Sequence, residues 1–176
     1  MRPSLLFLSL VTTLLTTSHT QAAETVFGAT DALNCYRSAS AQPSAADIDT
    51  CTAAIEQGRL TLTDLAATYS NRGILLARAG QFDKAIEDQN VAIQLNPRSA
   101  RAHINRANVY YRASRHAEAL ADYDQAILLS SGSFAPAFYN RALVHKALGE
   151  NDAARQDLQQ AAKLAPETYK NAAKVR

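Results

Sequence analysis

Asn71-Arg72-Gly73, Asn105-Arg106-Ala107 and Asn140-Arg141-Ala142 are one tripeptide written three times, the copies 34 and then 35 residues apart. Twelve residues after each small third residue comes an alanine (Ala85, Ala119, Ala154), and seven further on another (Ala92, Ala126, Ala161). Gly80, Ser114 and Gly149 stand between, at the place of a turn, and Pro97 and Pro166 close the first and third copies. A period of this length is the mark of stacked two-helix units. Apolar spacing on either side of each turn predicts helices over 66–79 with 82–94, 100–113 with 116–129, and 135–148 with 151–164. Small residues at each crossing let the backbones approach. Leu76, Phe82, Ile86, Ile93, Tyr110, Tyr123, Ile127, Phe138 and Leu158 fill the space around them. One such hairpin cannot bury its apolar faces alone, so the three must stack side by side.

Composition agrees with an all-α fold. The 176 residues are 47% apolar but only 7% aromatic, with no tryptophan and one methionine, which describes a core of small side chains. The length excludes a large multidomain enzyme. A formal charge of +2, from 18 basic and 16 acidic residues, is too small to point to nucleic acid. No glycine-rich nucleotide loop or metal-spaced cluster is present, and His103, His116 and His145 fall on packing positions of the repeat. No nucleophile, base and orienting group come together, so no enzyme and no cofactor is expected.

The repeats resemble those of the tetratricopeptide repeat family, whose consensus asks for a small residue at position 8, glycine near 15, alanine at 20 and 27 and proline at 32. The units are then 66–99, 100–133 and 135–168, with residue 134 absorbed in a lengthened connection around Ser130-Ser131-Gly132-Ser133. The resemblance implies a right-handed solenoid. His103 at position 4, Gln89 at position 24 and Ser131 in place of the proline depart from the pattern, and local weakening of the packing is expected there.

A second regularity lies outside that consensus. Arg72, Arg106 and Arg141 each precede an aspartate by sixteen residues: Asp88, Asp122 and Asp157. Each repeat, or each repeat with its neighbour, can form an Arg–Asp pair. Three exposed pairs would contribute at most about 1 kcal/mol each. Recurrence in register favours partly buried pairs with a structural role.

Residues 23–65 precede the repeats. Within 45–57, Ala54-Ile55 match Ala92-Ile93 and Ala126-Ile127, so this stretch resembles the second helix of a repeat, and 26–37 carries a shorter helical pattern. A turn centred on Pro43 would place Cys35 and Cys51 opposite each other. A Cys35–Cys51 disulfide stapling an N-terminal capping hairpin is expected, with free thiols and metal or redox chemistry as the rival readings. Thr63 or Asp64 can cap the helix that follows. Residues 169–176 form a tail or a short capping helix.

Residues 1–22 read as a signal peptide. Arg2 precedes an apolar run from Leu5 to Leu15, and the small residues Thr20 and Ala22 stand where a signal peptidase needs them. Cleavage after Ala22 or Ala23 leaves a nearly neutral protein with no later run long enough to span a bilayer. The expected location is the bacterial periplasm, or else outside the cell, where disulfides persist.

The resemblance also implies a binding surface. First helices line the concave side of such a solenoid, and the family's lining positions fall here on Asn71 and Arg78 in the first repeat. The second supplies Arg101, Asn105, Asn108, Tyr111 and Arg112, and the third Tyr139, Asn140 and Lys146. A row of asparagines offers donors and acceptors to a peptide backbone, and the basic side chains favour an acidic peptide or carboxylate end. The carboxylate clamp of chaperone-binding relatives is not reproduced, because Ser70, Ile74, Pro136 and Asn140 stand at its positions and only Asn105 matches. The expected function is a non-enzymatic interaction module of the cell envelope binding a peptide or partner subunit. Self-association and a small exported enzyme are the alternatives.

Overall fold

The computed structural model describes residues 32–37, 39 and 46–170, so the expected signal peptide lies outside the described residues. Residues 32–37 form α1, followed by α2 (Ala46–Glu56), α3 (Leu62–Arg78), α4 (Phe82–Leu95), α5 (Ala100–Arg112), α6 (His116–Leu129), α7 (Ala135–Ala147), α8 (Asn151–Leu164) and the single turn α9 (Pro166–Tyr169). Among the described residues there is no strand. The closest packing is within the hairpins α3–α4, α5–α6 and α7–α8. Successive hairpins then stack through α4 on α5 and α6 on α7, with α3 against α5 and α5 against α7 along the other face.

The turns inside the hairpins share one geometry. Gly80, Ser114 and Gly149 have φ of 76, 59 and 79°, and the following residue's N–H reaches back into the helix, as Arg115 N does to Tyr110 O at 2.8 Å. This left-handed closure satisfies the last carbonyls of the first helix. Glycine enters it without steric cost, and Ser114 accepts a strained backbone to keep the same turn. Where the repeat proline is missing, Ser131 and Gly132 close α6 instead with φ of 51 and 71°.

The crossings are built from alanine. Ala85, Ala107, Ala119, Ala126, Ala142 and Ala161 are fully buried. Leu76 and Ile86 pack with Val109, and Tyr123 packs with Ile104 and Val144, so these two apolar clusters each join successive hairpins, while Ala142, Ala154 and Leu158 pack within α7–α8. The three Arg–Asp pairs lie within their own repeats. Nε and Nη2 of Arg72, Arg106 and Arg141 grip Asp88, Asp122 and Asp157 at 2.7–2.8 Å, and the aspartates are each only 5% exposed. These hydrogen bonds raise each guanidinium's affinity for its proton in spite of its burial.

The third nitrogen of each arginine crosses to the preceding hairpin. Nη1 of Arg72, Arg106 and Arg141 donates to Thr52, Asn90 and Asp124, which hold one equivalent place on α2, α4 and α6. Each arginine thus closes its own hairpin and fixes its stacking on the hairpin before it. The ladder runs back into α2, so the N-terminal hairpin is docked as a repeat would be.

Cys35 and Cys51 form the expected disulfide, with Cα atoms 4.8 Å apart and both side chains fully buried. Two details differ from the sequence reading. Thr61 caps α3, accepting from Asp64 N at 3.1 Å, so the helix begins two or three residues earlier than a Thr63 or Asp64 cap would allow. Gln89 and His103 are not loose substitutes for bulky apolar groups. Gln89 is fully buried, donating to Ser70 O at 2.8 Å and accepting from Ser70 Oγ at 3.0 Å, while His103 Nδ1 lies 3.0 Å from Asp122 Oδ1. Hydrogen bonding replaces apolar contact at both places.

Candidate functional site

The first helices present their exposed sides to a groove made of three adjoining clefts. One, of about 340 Å³, lies between the C-terminal halves of α3 and α5 and is lined by Ile74, Ala77, Asn105, Asn108, Val109, Tyr111 and Arg112. A second, of about 400 Å³, opens at the N-terminal ends of the same helices, where Ser70, Asn71, Arg101 and Asn105 meet Tyr36. A third, of about 420 Å³, separates α1 from α3 and is lined in part by Leu33, Tyr36, Leu60, Ala67 and Asn71. Shared walls make them continuous: Asn105 joins the first two, and Tyr36, Ala67 and Asn71 join the last two.

The asparagines have a double role. Asn105 Nδ2 donates to Ser70 Oγ at 2.9 Å, and Asn140 Nδ2 donates to Asn108 Oδ1 at 3.0 Å, so both link one hairpin to the preceding one. Asn108 Oδ1 also accepts from the Tyr123 hydroxyl at 2.6 Å. Burial, and then the proximity of Tyr111 and Asp122, push the Tyr123 phenol far above its ordinary value, so it stays a neutral donor. Among the described residues, no protein partner takes the Asn105 Oδ1 acceptor or the Asn108 Nδ2 donor. An acceptor and a donor one turn apart on α5, in one cleft, match the two polar groups of a peptide unit.

While the cleft beside α1 carries both Arg59 and Asp64, charge in the two clefts between α3 and α5 is basic. Arg101 and Arg112 are exposed at their walls, with guanidinium carbons 6.0 and 5.9 Å from the ring centres of Phe134 and Phe82. Such ring contacts hold an arginine in place while leaving its donors outward. Tyr111 leans on His116, ring centres 5.8 Å apart, and His116 Nδ1 is buried without a hydrogen-bond partner. Arg78 and Lys146 are exposed but line none of the three clefts. Tyr139 stacks on Tyr169 of α9 at 4.8 Å, which commits one face of its ring to the end of the chain's fold. Among the described residues no cluster of His, Cys, Asp and Glu could hold a metal ion, and no helix is long and apolar enough to cross a membrane.

Leu33 and Tyr36 were not among the residues expected at this surface, although a signal for them exists. Cys35 precedes Cys51 by sixteen residues, the spacing of Gly73 to Gln89, Ala107 to Tyr123 and Ala142 to Leu158. In that register Leu33 stands where Asn71 does and Tyr36 where Ile74 does. The N-terminal hairpin is a repeat with its signature erased.

At the opposite end the outer face of α8 is polar. Arg155 and Ala162 occupy the places where Ile86 with Leu120, and Ile93 with Ile127, turn toward a following hairpin, and Gln156, Gln159, Gln160 and Lys163 surround them.

Two tetratricopeptide repeat profiles match the chain, over residues 70–136 and 135–168. Tetratricopeptide repeat protein 36 of Bos taurus is 36% identical over 96 residues, covering 53% of this chain and 51% of that protein. The DnaJ homolog subfamily C member 7 homolog of Schizosaccharomyces pombe is 36% identical over 98 residues, covering 53% and 20%. The chain thus spans between a fifth and a half of the length of these curated relatives. Among solved structures, the second repeat domain of Spaghetti (RPAP3), bound to the HSP90 peptide SRMEEVD, superposes with a TM-score of 0.54 at 31% identity, over 58% of this chain and 94% of that one. The crystal structure of MamA shares the fold at 21% identity and a TM-score of 0.58, over 68% and 67%. Period, crossing residues, turn geometry and these likenesses agree: the chain belongs to the tetratricopeptide repeat family.

Proposed function

We propose that this chain is a non-enzymatic adaptor of the bacterial cell envelope that holds an extended acidic peptide segment, from a partner protein, in the groove along α1, α3 and α5. The observation that carries this reading is the unpartnered Asn105 Oδ1 and Asn108 Nδ2 in one cleft, flanked by Arg112 and continuous with Arg101. An extended segment presents a carbonyl and an N–H to such a pair whatever its side chains, and the arginines select for acid. A similar solenoid holding the acidic peptide SRMEEVD supports a peptide as the ligand class. Ser70, Ile74 and Pro136 argue for a different peptide sequence, since the clamp for that ligand is not reproduced. Export rests on residues 1–22, with Arg2 before the apolar run.

The test is capture from a bacterial envelope extract by the wild type and by an Asn105→Ala, Tyr111→Ala double variant, with N-terminal sequencing of the purified protein. The wild type is expected to retain partners that the variant loses, and the mature chain to begin at Ala23 or Glu24. Equal recovery of every partner by both proteins would remove the groove from the function.

A further inference from the structure

The cleft between α1 and α3 differs in chemistry from the rest of the groove. Leu33, Tyr36, Leu60 and Ala67 give it a mainly apolar lining, shared with the polar Arg59, Thr61, Asp64, Thr68 and Asn71, and Leu33 and Tyr36 leave 45% and 58% of their surface in water inside a concavity. Cys35, between them in sequence, is buried against α3 with Sγ 3.8 Å from Thr68 O, and its bond to Cys51 fixes the helix that carries both. A disulfide here anchors one wall of a pocket as well as an end of the fold. The pocket opens past Tyr36 and Asn71 into the cleft where Arg101 stands.

We infer that this cleft is a specificity pocket for one bulky apolar side chain of the bound acidic segment, and that the disulfide-held α1 is what gives the groove its preference. The inference rests on the groove reading above and adds the ligand's pattern. Neighbouring first helices are about 9 Å apart, which an extended chain covers in about three residues. The apolar residue therefore stands three positions from the acid that faces Arg101. Charge complementarity at Arg101 and an apolar hollow beside it define the occupant: a peptide with one aromatic or large aliphatic residue three places from a carboxylate.

Fluorescence anisotropy on the full oxidised chain tests this with labelled nine-residue peptides of Gly, Ser and Ala. Two carry Phe and Glu three residues apart, in either order, and two carry Ala in place of the Phe. For one order, the wild type is expected to bind the Phe peptide about tenfold tighter than its Ala counterpart, as burial of one ring would give. A Leu33→Ala, Tyr36→Ala variant should bind the two alike, and Leu60→Ala, on the opposite wall, should shrink the same preference without touching α1. Binding of Phe and Ala peptides with equal affinity by the wild type, or a preference that survives in both variants, overturns the pocket and leaves the groove standing. Absence of binding to all four peptides overturns the groove reading with it.

Discussion

At the crossing of α1 with α2, Cys35 meets Cys51 in a covalent bond; at the crossing of α3 with α4, Gly73 packs against Gln89, whose amide is hydrogen-bonded to Ser70 one turn earlier. Both pairs are sixteen residues apart and occupy one place in the repeat. The second and third repeats fill it with Ala107 and Tyr123, and with Ala142 and Leu158. Four hairpins thus solve one packing problem in four ways. The apolar cluster at the N-terminal crossing is small, Cys35, Ala39, Cys51 and Leu75 with Ile48 beside them. A covalent tie does there what side-chain area does elsewhere.

The largest effect expected from breaking this comparison is at the sulfurs. Replacing Cys35 and Cys51 together by alanine removes the closure of a loop of about fifteen residues, worth about 3 kcal/mol in the chain-entropy model. Hydrogen exchange across Ala46–Glu56 should report the loss as faster exchange, with α5 to α8 little changed. Unaltered protection of that helix would mean that packing of its Ile48 with Leu75, and the Arg72–Thr52 bond, suffice without the tie.

A smaller effect is expected at Gly73. A Cβ there would lie 2.6 Å from Gln89 Nε2 and 3.1 Å from Ala85 O, and Gln89 cannot swing aside without abandoning Ser70. Gly73→Ala should therefore cost about 1–2 kcal/mol in urea unfolding, overpacking outweighing the gain in helix propensity. Adding Gln89→Leu recreates the Ala142–Leu158 pair of the third repeat, and most of the stability should return. If the double variant is no better than the single, the crossing pairs are not interchangeable modules.

How much of this could be read beforehand follows from where the signal sits. The register of the three repeats was legible because crossing and turn residues recur at fixed distance, and chain length alone sets that distance. The Cys35–Cys51 bond was legible because the two cysteines stand symmetrically in sequence about the turn expected at Pro43, which lies outside the described residues. The part played by α1 in the groove was not, since Leu33-Asn34-Cys35 stands where the repeats carry Asn-Arg-Gly or Asn-Arg-Ala, and only the spacing to Cys51 survives. The third arm of each arginine was hidden for a different reason. Thr52, Asn90 and Asp124 share no chemistry beyond an acceptor oxygen, so their equivalence appears only once the hairpins are docked. Gln89 misled in the same way, because its partners are a serine hydroxyl and a backbone carbonyl on another helix.

The smallest effect belongs to the second crossing and is the most selective in its pH dependence. Tyr123 fills the place of Gln89 with a ring and donates a hydrogen bond from its hydroxyl to Asn108 Oδ1. Tyr123→Phe keeps the ring and removes that bond, so at neutral pH it should cost about 1 kcal/mol. In the folded chain burial holds the phenol's proton well above the ordinary value of 10.0. Above about pH 10 the unfolded chain has released a proton that the folded chain keeps, so rising pH favours unfolding and wild-type stability falls. The variant lacks this group and should fall less steeply, so the gap between the two narrows as pH rises from 7 to 10.5. Urea midpoints at both values measure it. Parallel curves would mean that the hydroxyl reaches solvent in the folded state, and the Asn108 amide, released from Tyr123, would then be free to turn in the cleft.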